Sequence, residues 1–325
     1  IRGKKITKNN FKYQTRLYSV VNLGFVFYLE FICDLELVIW NFTLTLPQLN
    51  ELLKPSFHIK PGVEHNPANS ILLMIAGARH CSFAVMNYLS KELVEFGYYT
   101  TTSDEADYSD FFDRNRFLNN RYHQTAIAFV ANECVQIPSV VYKYEDAQLH
   151  LDANYGKDVH VTIVSENLPA LNLYNVYRIP SNLHATISRK FLSGKFWHLY
   201  TVVLKNIPAQ LTDPMFIDFK TDEFSVIILR QSKLLLCQTF MYTTPDDVLY
   251  YLLKCCQHLN LSQRQTKVFL SGLIEKDSVL YRELYKYFIH LEFESLPNDI
   301  KLAEELSAHP QHYYSSISKL AACVL

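Results

Sequence analysis

Met215-Phe-Ile-Asp-Phe219, Phe224-Ser-Val-Ile-Ile-Leu-Arg230 and Leu234-Leu-Leu-Cys-Gln-Thr-Phe240 are three strand-length apolar runs, separated by Lys220-Thr-Asp-Glu223 and Gln231-Ser-Lys233. Runs of this length with polar punctuation predict a β-meander. Thr243-Thr-Pro-Asp-Asp247 follows. A threonine cap, a proline in the first turn and acids at the positive end of the helix dipole predict a helix over 245–259. That helix places Val248, Leu249, Leu252, Leu253 and Cys256 on one stripe. Beyond Asn260 the pattern predicts a strand from Lys267 to Leu270, a turn at Ser271-Gly272 and a helix capped by Asp277 or Ser278 that runs to about His290. Meander, helix, strand, helix is the order of an α/β lobe.

Upstream the same signals recur. Ser70–Ile75 and Ser82–Tyr88 read as a hairpin with Gly77 in its turn, and Thr125–Val130 as a further strand. Residues 100–110 form an acidic loop in which Asp110 is a fair cap for a helix towards Leu118. Val140–Tyr144 and Gln148–Leu151 bracket Glu145-Asp146 as a second hairpin. Ser181 caps a helix over 182–193 that ends at Gly194, and Lys195–Leu204 alternates into a strand. Asn206 to Pro214, with two prolines, is the best lobe boundary. Residues 299–307 and 312–322 read as helical. The expectation is a two-lobed α/β protein, with mixed sheets flanked by helices: first lobe 51–207, second lobe 208–325.

Composition narrows the function. The 325 residues carry 31 basic and 32 acidic side chains, net charge −1, with 49% apolar and 19% charged residues. Such values exclude a disordered or coiled-coil chain and leave no electrostatic case for nucleic acid. The eight glycines, none within five residues of another, exclude GxGxxG and Walker loops. Seven cysteines, an odd number without CxxC spacing, suit buried thiols in a reducing cytoplasm. No HExxH or HxH accompanies the twelve histidines, so no metal site is expected. Ser316-x-x-Lys319 has SxxK spacing without its companion motifs, and Glu145-Asp146 and Asp246-Asp247 suit a turn and a helix start. No catalytic residue is assigned. The 43 Phe and Tyr, often in adjacent pairs such as Tyr98-Tyr99 and Tyr313-Tyr314, suit core and protein interfaces.

Residues 1–50 stand apart, as an extension that is not expected to belong to the domain. Basic residues precede an apolar stretch, Leu17–Phe42, but Glu30, Asp34 and Glu36 interrupt it. Each would cost about 3 kcal/mol at the centre of a bilayer helix, so no integral span is expected. The first methionine is Met74, which suggests a fragment or an added upstream extension.

Lys233–Phe240, Asp246–Leu253 and Val268–Leu284, together with Asn175–Pro180, Ile137-Pro138 and Lys319–Cys323, resemble a bacterial family called domain of unknown function 3822. The resemblance covers about residues 55–325 and implies a fold similar to the actin-like ATPases, a duplicated ribonuclease-H-like fold, including the cytoplasmic actin-like components of pilus assembly. Such proteins hold nucleotide with two Asp-x-Gly hairpin turns and a Gly-Gly turn before a helix. Carried onto this chain, the first hairpin is Ile75–Arg79, keeping Gly77 and adding Arg79, with an apolar residue where the metal-ordering Asp belongs. The second is Phe216–Thr221, with Asp218 but no following glycine. The third is Ser271-Gly272, with Lys276 on its loop. Phosphate-wrapping backbone needs conformations that glycine tolerates. The expectation is therefore a degenerate cleft: no cofactor and no hydrolysis, an uncharacterised protein partner, and an Asp218→Ala change without effect on stability. The alternatives are an actin-like protein that closes on ATP and Mg²⁺ through Gly77, Arg79, Asp218, Gly272 and Lys276, and a membrane-associated pilus or secretion adaptor.

Overall fold

The computed structural model describes residues 52–325 except 63, 104, 105 and 212. The expectations for residues 1–50, and Cys33, lie outside the described residues.

β1 (Lys54–Ile59), β2 (Ser70–Ala76), β3 (His80–Asn87), β4 (Glu92–Thr100) and β5 (Gln124–Phe129) build the first sheet. Every residue of β2 is buried. Leu72, Met74 and Ala76 enter the core on one face, and Ile71, Leu73 and Ile75 the core on the other. This is why its run is continuously apolar instead of alternating: both faces are covered. Between β4 and β5 lies α1 (Tyr108–Arg114), which buries Tyr108, Phe111 and Phe112. A smaller unit follows: β6 (Cys134–Pro138), α2 (Ala147–Tyr155), β7 (Val161–Leu168) and β8 (Leu173–Pro180), the strands pairing in the order β6-β8-β7. α3 (Ser181–Lys190), β9 (Lys195–His198) and α4 (Leu199–Lys205) return the chain to the first sheet.

The second sheet holds β10 (Pro214–Phe219), β11 (Glu223–Arg230), β12 (Lys233–Met241), β13 (Lys267–Gly272) and β14 (His290–Phe293). α5 (Pro245–His258) lies between β12 and β13, and α6 (Val279–Tyr287) between β13 and β14. Within the first sheet, β4-β3-β2-β5-β9 has the same order as β12-β11-β10-β13-β14 in the second. In both, three strands run antiparallel and two more join in parallel. One supersecondary unit is thus laid down twice.

The last segment does not stay with the second sheet. β15 (Lys301–Leu302) pairs with β4. After α7 (Glu304–Ser307), the final helix α8 (Ser315–Ala322) buries Ile317, Leu320 and Ala321 with Ile71 and Leu73 of the first sheet and Leu199 and Val202 of α4.

Four local expectations are corrected. The segment expected to be a hairpin around Glu145-Asp146 is a 3-10 turn leading into α2. Gly156 at φ +79° ends that helix, its N–H bonded to the Asp152 carbonyl. The expected strand Lys195–Leu204 stops at His198, because His198 caps α4: its Nδ1 accepts the Tyr200 N–H at 3.0 Å. Burial of Leu199 to Leu204 overrides the β preference of Thr201-Val-Val203. α1 is capped by Asp107, whose carboxylate accepts from Ser109 and Asp110, and not by Asp110. Ser181 is the first residue of α3 instead of its cap.

Candidate functional site

The two lobes' central hairpins point their turns at each other. Gly77, Ala78 and Arg79 join β2 to β3; Lys220, Thr221 and Asp222 join β10 to β11. Both turns close on themselves: the Gly77 N–H bonds the His80 carbonyl at 3.0 Å, and the Lys220 N–H the Glu223 carbonyl at 2.8 Å. They are also tied together. Arg79 forms an ion pair with Asp222. Tyr98, on β4, is 3.3 Å from Thr221 Oγ1 through its hydroxyl. His80 Nδ1 lies 3.7 Å from Glu223 Oε1, and Asn132 Nδ2 donates to Glu223 Oε2 at 3.3 Å.

Asp218, at the end of β10, is the centre of the site. Lys220 places its ammonium directly on Asp218 Oδ2. Ser271, in register beside Asp218 on β13, donates to Oδ1 at 3.0 Å, and Ser316 of α8 donates to Oδ2 at 3.1 Å. Burial pushes the Asp218 carboxyl up, but the Lys220 charge and hydrogen bond, Lys319 and Ser271 more than offset it and hold the group below its ordinary range. The residue two positions after the aspartate is where the Asp-x-Gly pattern has its glycine. Here it is a lysine, so a tethered, buried ammonium neutralises the carboxylate.

A second buried pair extends the network. Lys319, one helical turn after Ser316 on α8, donates to Glu294 at 2.6 and 2.8 Å, and Ser315 donates to the same carboxylate at 2.6 Å. The polar face of α8 is thus bonded to carboxylates of the second lobe while its apolar face fills the core of the first. Ser316-x-x-Lys319 owes its spacing to this, one turn apart on one helix face.

His80 carries the electrostatics of the closed turns. Burial, then Lys220 and Arg79, drive its pKa down to about 3 from 6.5, against the opposing pull of Asp218. It is a neutral ring, stacked on Tyr98 at 6.2 Å between centroids.

Of the five residues singled out from sequence, four gather here. Gly77 and Arg79 form the first turn, Asp218 meets Lys220, and Gly272 adjoins them. At Gly272 φ is +75°, and an added Cβ would lie 2.1 Å from the Phe219 carbonyl oxygen and 2.7 Å from Asp218 Oδ1. The glycine lets the β13 exit pass against β10, and the Leu273 N–H bonds the Phe219 carbonyl at 2.8 Å. Lys276 lies elsewhere, exposed, beside an open cavity of ≈ 440 Å³ lined also by Glu275, Asp277, Phe293, Pro310 and His312. Sequence reasoning missed Lys220, Glu294 and Lys319. Asp218-x-Lys220 was legible as a charge pair two residues apart, but nothing in sequence places Ser316 and Lys319 opposite Asp218 and Glu294.

A magnesium nucleotide does not fit these residues. The space among Asp218, Lys220, Gly272, Tyr98 and Ser316 is ≈ 30 Å³, a tenth of the ~300 Å³ at which small-molecule pockets begin. The carboxylate that would order the metal already has a cation on it. Among the described residues, no group of three or more His, Cys, Asp or Glu is placed to hold a metal, and no helix is long and apolar enough to cross a membrane.

Solved structures share this architecture. A Bacteroides thetaiotaomicron protein with actin-like ATPase fold and unknown function superposes with a TM-score of 0.64 at 17% identity, covering 78% of this chain and 96% of that one. A chain of the PilM-PilN type IV pilus biogenesis complex superposes with a TM-score of 0.53 at 13% identity, covering 79% and 99%. No curated protein matches the chain. The fold is the actin-like ATPase fold, expected from the resemblance and evident in the duplicated strand order. The family model described as Protein of unknown function (DUF3822) matches residues 63–291, well over half of the chain, and the chain belongs to that family.

Proposed function

We propose that this chain is a non-catalytic, cytoplasmic, protein-binding member of the actin-like fold, in which side chains of the protein itself take the place of nucleotide between the lobes. The observation that carries this reading is the Lys220 ammonium on Asp218. A phosphate-bound Mg²⁺ usually needs a carboxylate, directly or through water, and displacing Lys220 would leave a buried ammonium unpaired, at a cost of several kcal/mol. The Arg79–Asp222 pair supports the reading further, since it ties together the turns that would have to part around a phosphate chain. The partner is a protein: a chain of this fold is solved within the PilM-PilN pilus biogenesis complex, which offers a precedent for an actin-like lobe pair acting through protein contacts.

A thermal-shift titration of the full chain with ATP or ADP and Mg²⁺ tests it. Binding at 100 times the dissociation constant would stabilise the fold by about 2.7 kcal/mol. The expected response is flat up to millimolar nucleotide. A saturable shift in the wild-type chain would overturn the proposal.

A further inference from the structure

The second lobe is electrically polarised along its strands. Arg230, at the end of β11, pairs in register with Lys233 at the start of β12, and Lys267 at the start of β13 pairs with Pro214 of β10 and His290 of β14. These residues form a row across the end of the sheet opposite the Lys220–Asp222 turn. α5 and α6 each join the finish of one strand to the start of the next, so both run from the turn end to the end that carries the row. The loop after α5 brings Arg264 to that end, and Lys254 and Lys286 lie towards the C-terminal ends of the two helices.

The carboxylates are distributed the other way. Of the eleven in residues 208–294, eight lie at or beside the turn end, from Asp218 and Asp222 to Asp246-Asp247 at the start of α5 and Glu275 and Asp277 before α6. Three remain nearer the row. Asp213 accepts the Gln231 N–H at 2.7 Å, Glu283 is bonded to Lys286 at 2.6 Å, and Glu292 is the third residue of β14. Against these three stand Arg230, Lys233, Lys254, Arg264, Lys267 and Lys286, a net charge of +3 on one end of one lobe, in a chain whose total is −1. Arg230 is bonded to the Leu259 and Asn260 carbonyls, neutral groups that leave its charge uncompensated. Among the described residues, Lys233, Arg264 and Lys267 are exposed and enter no ion pair.

The shape of this charge says what it meets. The row crosses all five strands, about 19 Å at the spacing of a sheet, and the helix ends and the Arg264 loop add a second layer beside it. The cations are thus spread over an end face. An acidic peptide is held along a sheet edge or in a groove, and single-stranded nucleic acid needs rings between the cations, which the row lacks. A leaflet of anionic lipids is flat, presents charge over an area, and favours each nearby Lys or Arg by about fivefold. We propose that this end of the second lobe rests on an anionic lipid surface, with Arg230, Lys233, Arg264 and Lys267 among the headgroups and no segment inserted below them. The inter-lobe turns, at the far end of the six-residue β10, then stand about 20 Å from that surface. The contact goes beyond the protein-binding reading, and neither depends on the other.

Cosedimentation of the full chain with vesicles tests it, using phosphatidylcholine alone and an equimolar mixture of phosphatidylcholine and phosphatidylglycerol. The chain is expected to bind the anionic vesicles only, and to be released as salt shortens the Debye length from about 10 Å to about 3 Å. Lys233→Glu/Lys267→Glu should lose at least tenfold in partitioning, since two contributions of about fivefold disappear. The same charge change at the turn end, Lys276→Glu/Arg282→Glu, should leave partitioning within about twofold. All four positions are exposed, and melting curves of both variants check that the fold is kept. Equal binding to neutral vesicles, no binding to anionic ones, or an equal loss in the two variants would each overturn the proposal. So would binding that Lys233→Glu/Lys267→Glu leaves unmoved, as when the basic residues among the first 16 carry it, or tighter binding to poly-glutamate or single-stranded DNA than to the vesicles. None of these outcomes bears on the nucleotide titration.

Discussion

Asp218 and Lys220 sit two residues apart on one hairpin, both largely buried, and their charges neutralise each other. The expectation that Asp218→Ala would be silent is therefore reversed. That substitution leaves the Lys220 ammonium and the Ser316 hydroxyl without their acceptor, and Ser271 with only the Ile217 carbonyl at 3.5 Å. Removing one partner of a buried pair costs about 3–5 kcal/mol, whereas replacing both by apolar groups is often close to neutral. In urea unfolding, Asp218→Ala should lose about 3 kcal/mol, and the double change Asp218→Leu/Lys220→Met should recover most of it. Equal losses in both would mean that the pair is not what holds the turn.

His80 and His198 set the pH response at the same scale. Burial depresses His80 to about 3 and His198 to about 4, each from 6.5. His198 Nε2 is 2.9 Å from the Ala131 carbonyl while its Nδ1 accepts from Tyr200, so the neutral ring has a partner at both nitrogens. Since both rings are neutral in the fold and take up protons when unfolded, the unfolded state binds more protons as pH falls below 6.5. Stability should decline from about pH 6.5 towards pH 4. The Asp218 contribution follows the ordinary carboxylate sign: it is present above 3.8 and is lost only as pH falls through its still lower folded value. In His80→Gln the decline of melting temperature between pH 6.5 and 4 should become shallower, with His198 carrying the remainder. An unchanged slope would mean that His80 is not the titrating group.

Among the elements, the helix starts separate what local chemistry specifies from what packing specifies. α5 begins with a capping box: Thr244 Oγ1 accepts the Asp247 N–H at 3.3 Å, and Asp247 Oδ2 accepts from Thr244 N at 2.8 Å. α6 left two candidates open in sequence, and Ser278 is the cap, accepting the Tyr281 N–H at 3.1 Å. Ser278→Ala should cost about 1 kcal/mol and Asp277→Ala clearly less, a difference that paired denaturation curves resolve. Where local signals were weak, neighbours decided. β4 reads poorly because Glu92, Glu95 and Gly97 interrupt its apolar residues. Yet Glu95 is held by His58 of β1 at 2.7 Å, and Gly97 leaves the space occupied by the Phe83 ring. α4 reads as a strand until its burial is known.

For the molecule as a whole, α8 matters most. Its Ile317, Leu320 and Ala321 lie in the core of the first lobe, and its Ser315, Ser316 and Lys319 bond Glu294 and Asp218 of the second. Helix and network together join the lobes. Truncation after Pro310 should therefore uncouple them, turning a single calorimetric transition into two or lowering melting by more than 10 °C. A truncated chain that melts as the wild type does would assign the joint to the turns alone.

The sequence by itself determined the β10–β12 meander, the capped helix α5, the first hairpin, and, through its resemblance, the family and the fold. Those features rest on contacts within a few residues: alternation, capping, and turn spacing. The resemblance also projected Gly77, Arg79, Asp218, Gly272 and Lys276 onto one cleft; the duplicated topology brings the first four together at the two hairpin turns, and Lys276 lies elsewhere. Only the tertiary structure decided that Lys220, Ser271 and Ser316 all converge on Asp218. Ser316 lies 98 residues from Asp218 and reaches it by a chain return that no local pattern encodes, on the same helix whose Lys319 holds Glu294. Whether Lys220 faces water or a buried carboxylate depends on the burial of Asp218, which is set by both lobes at once.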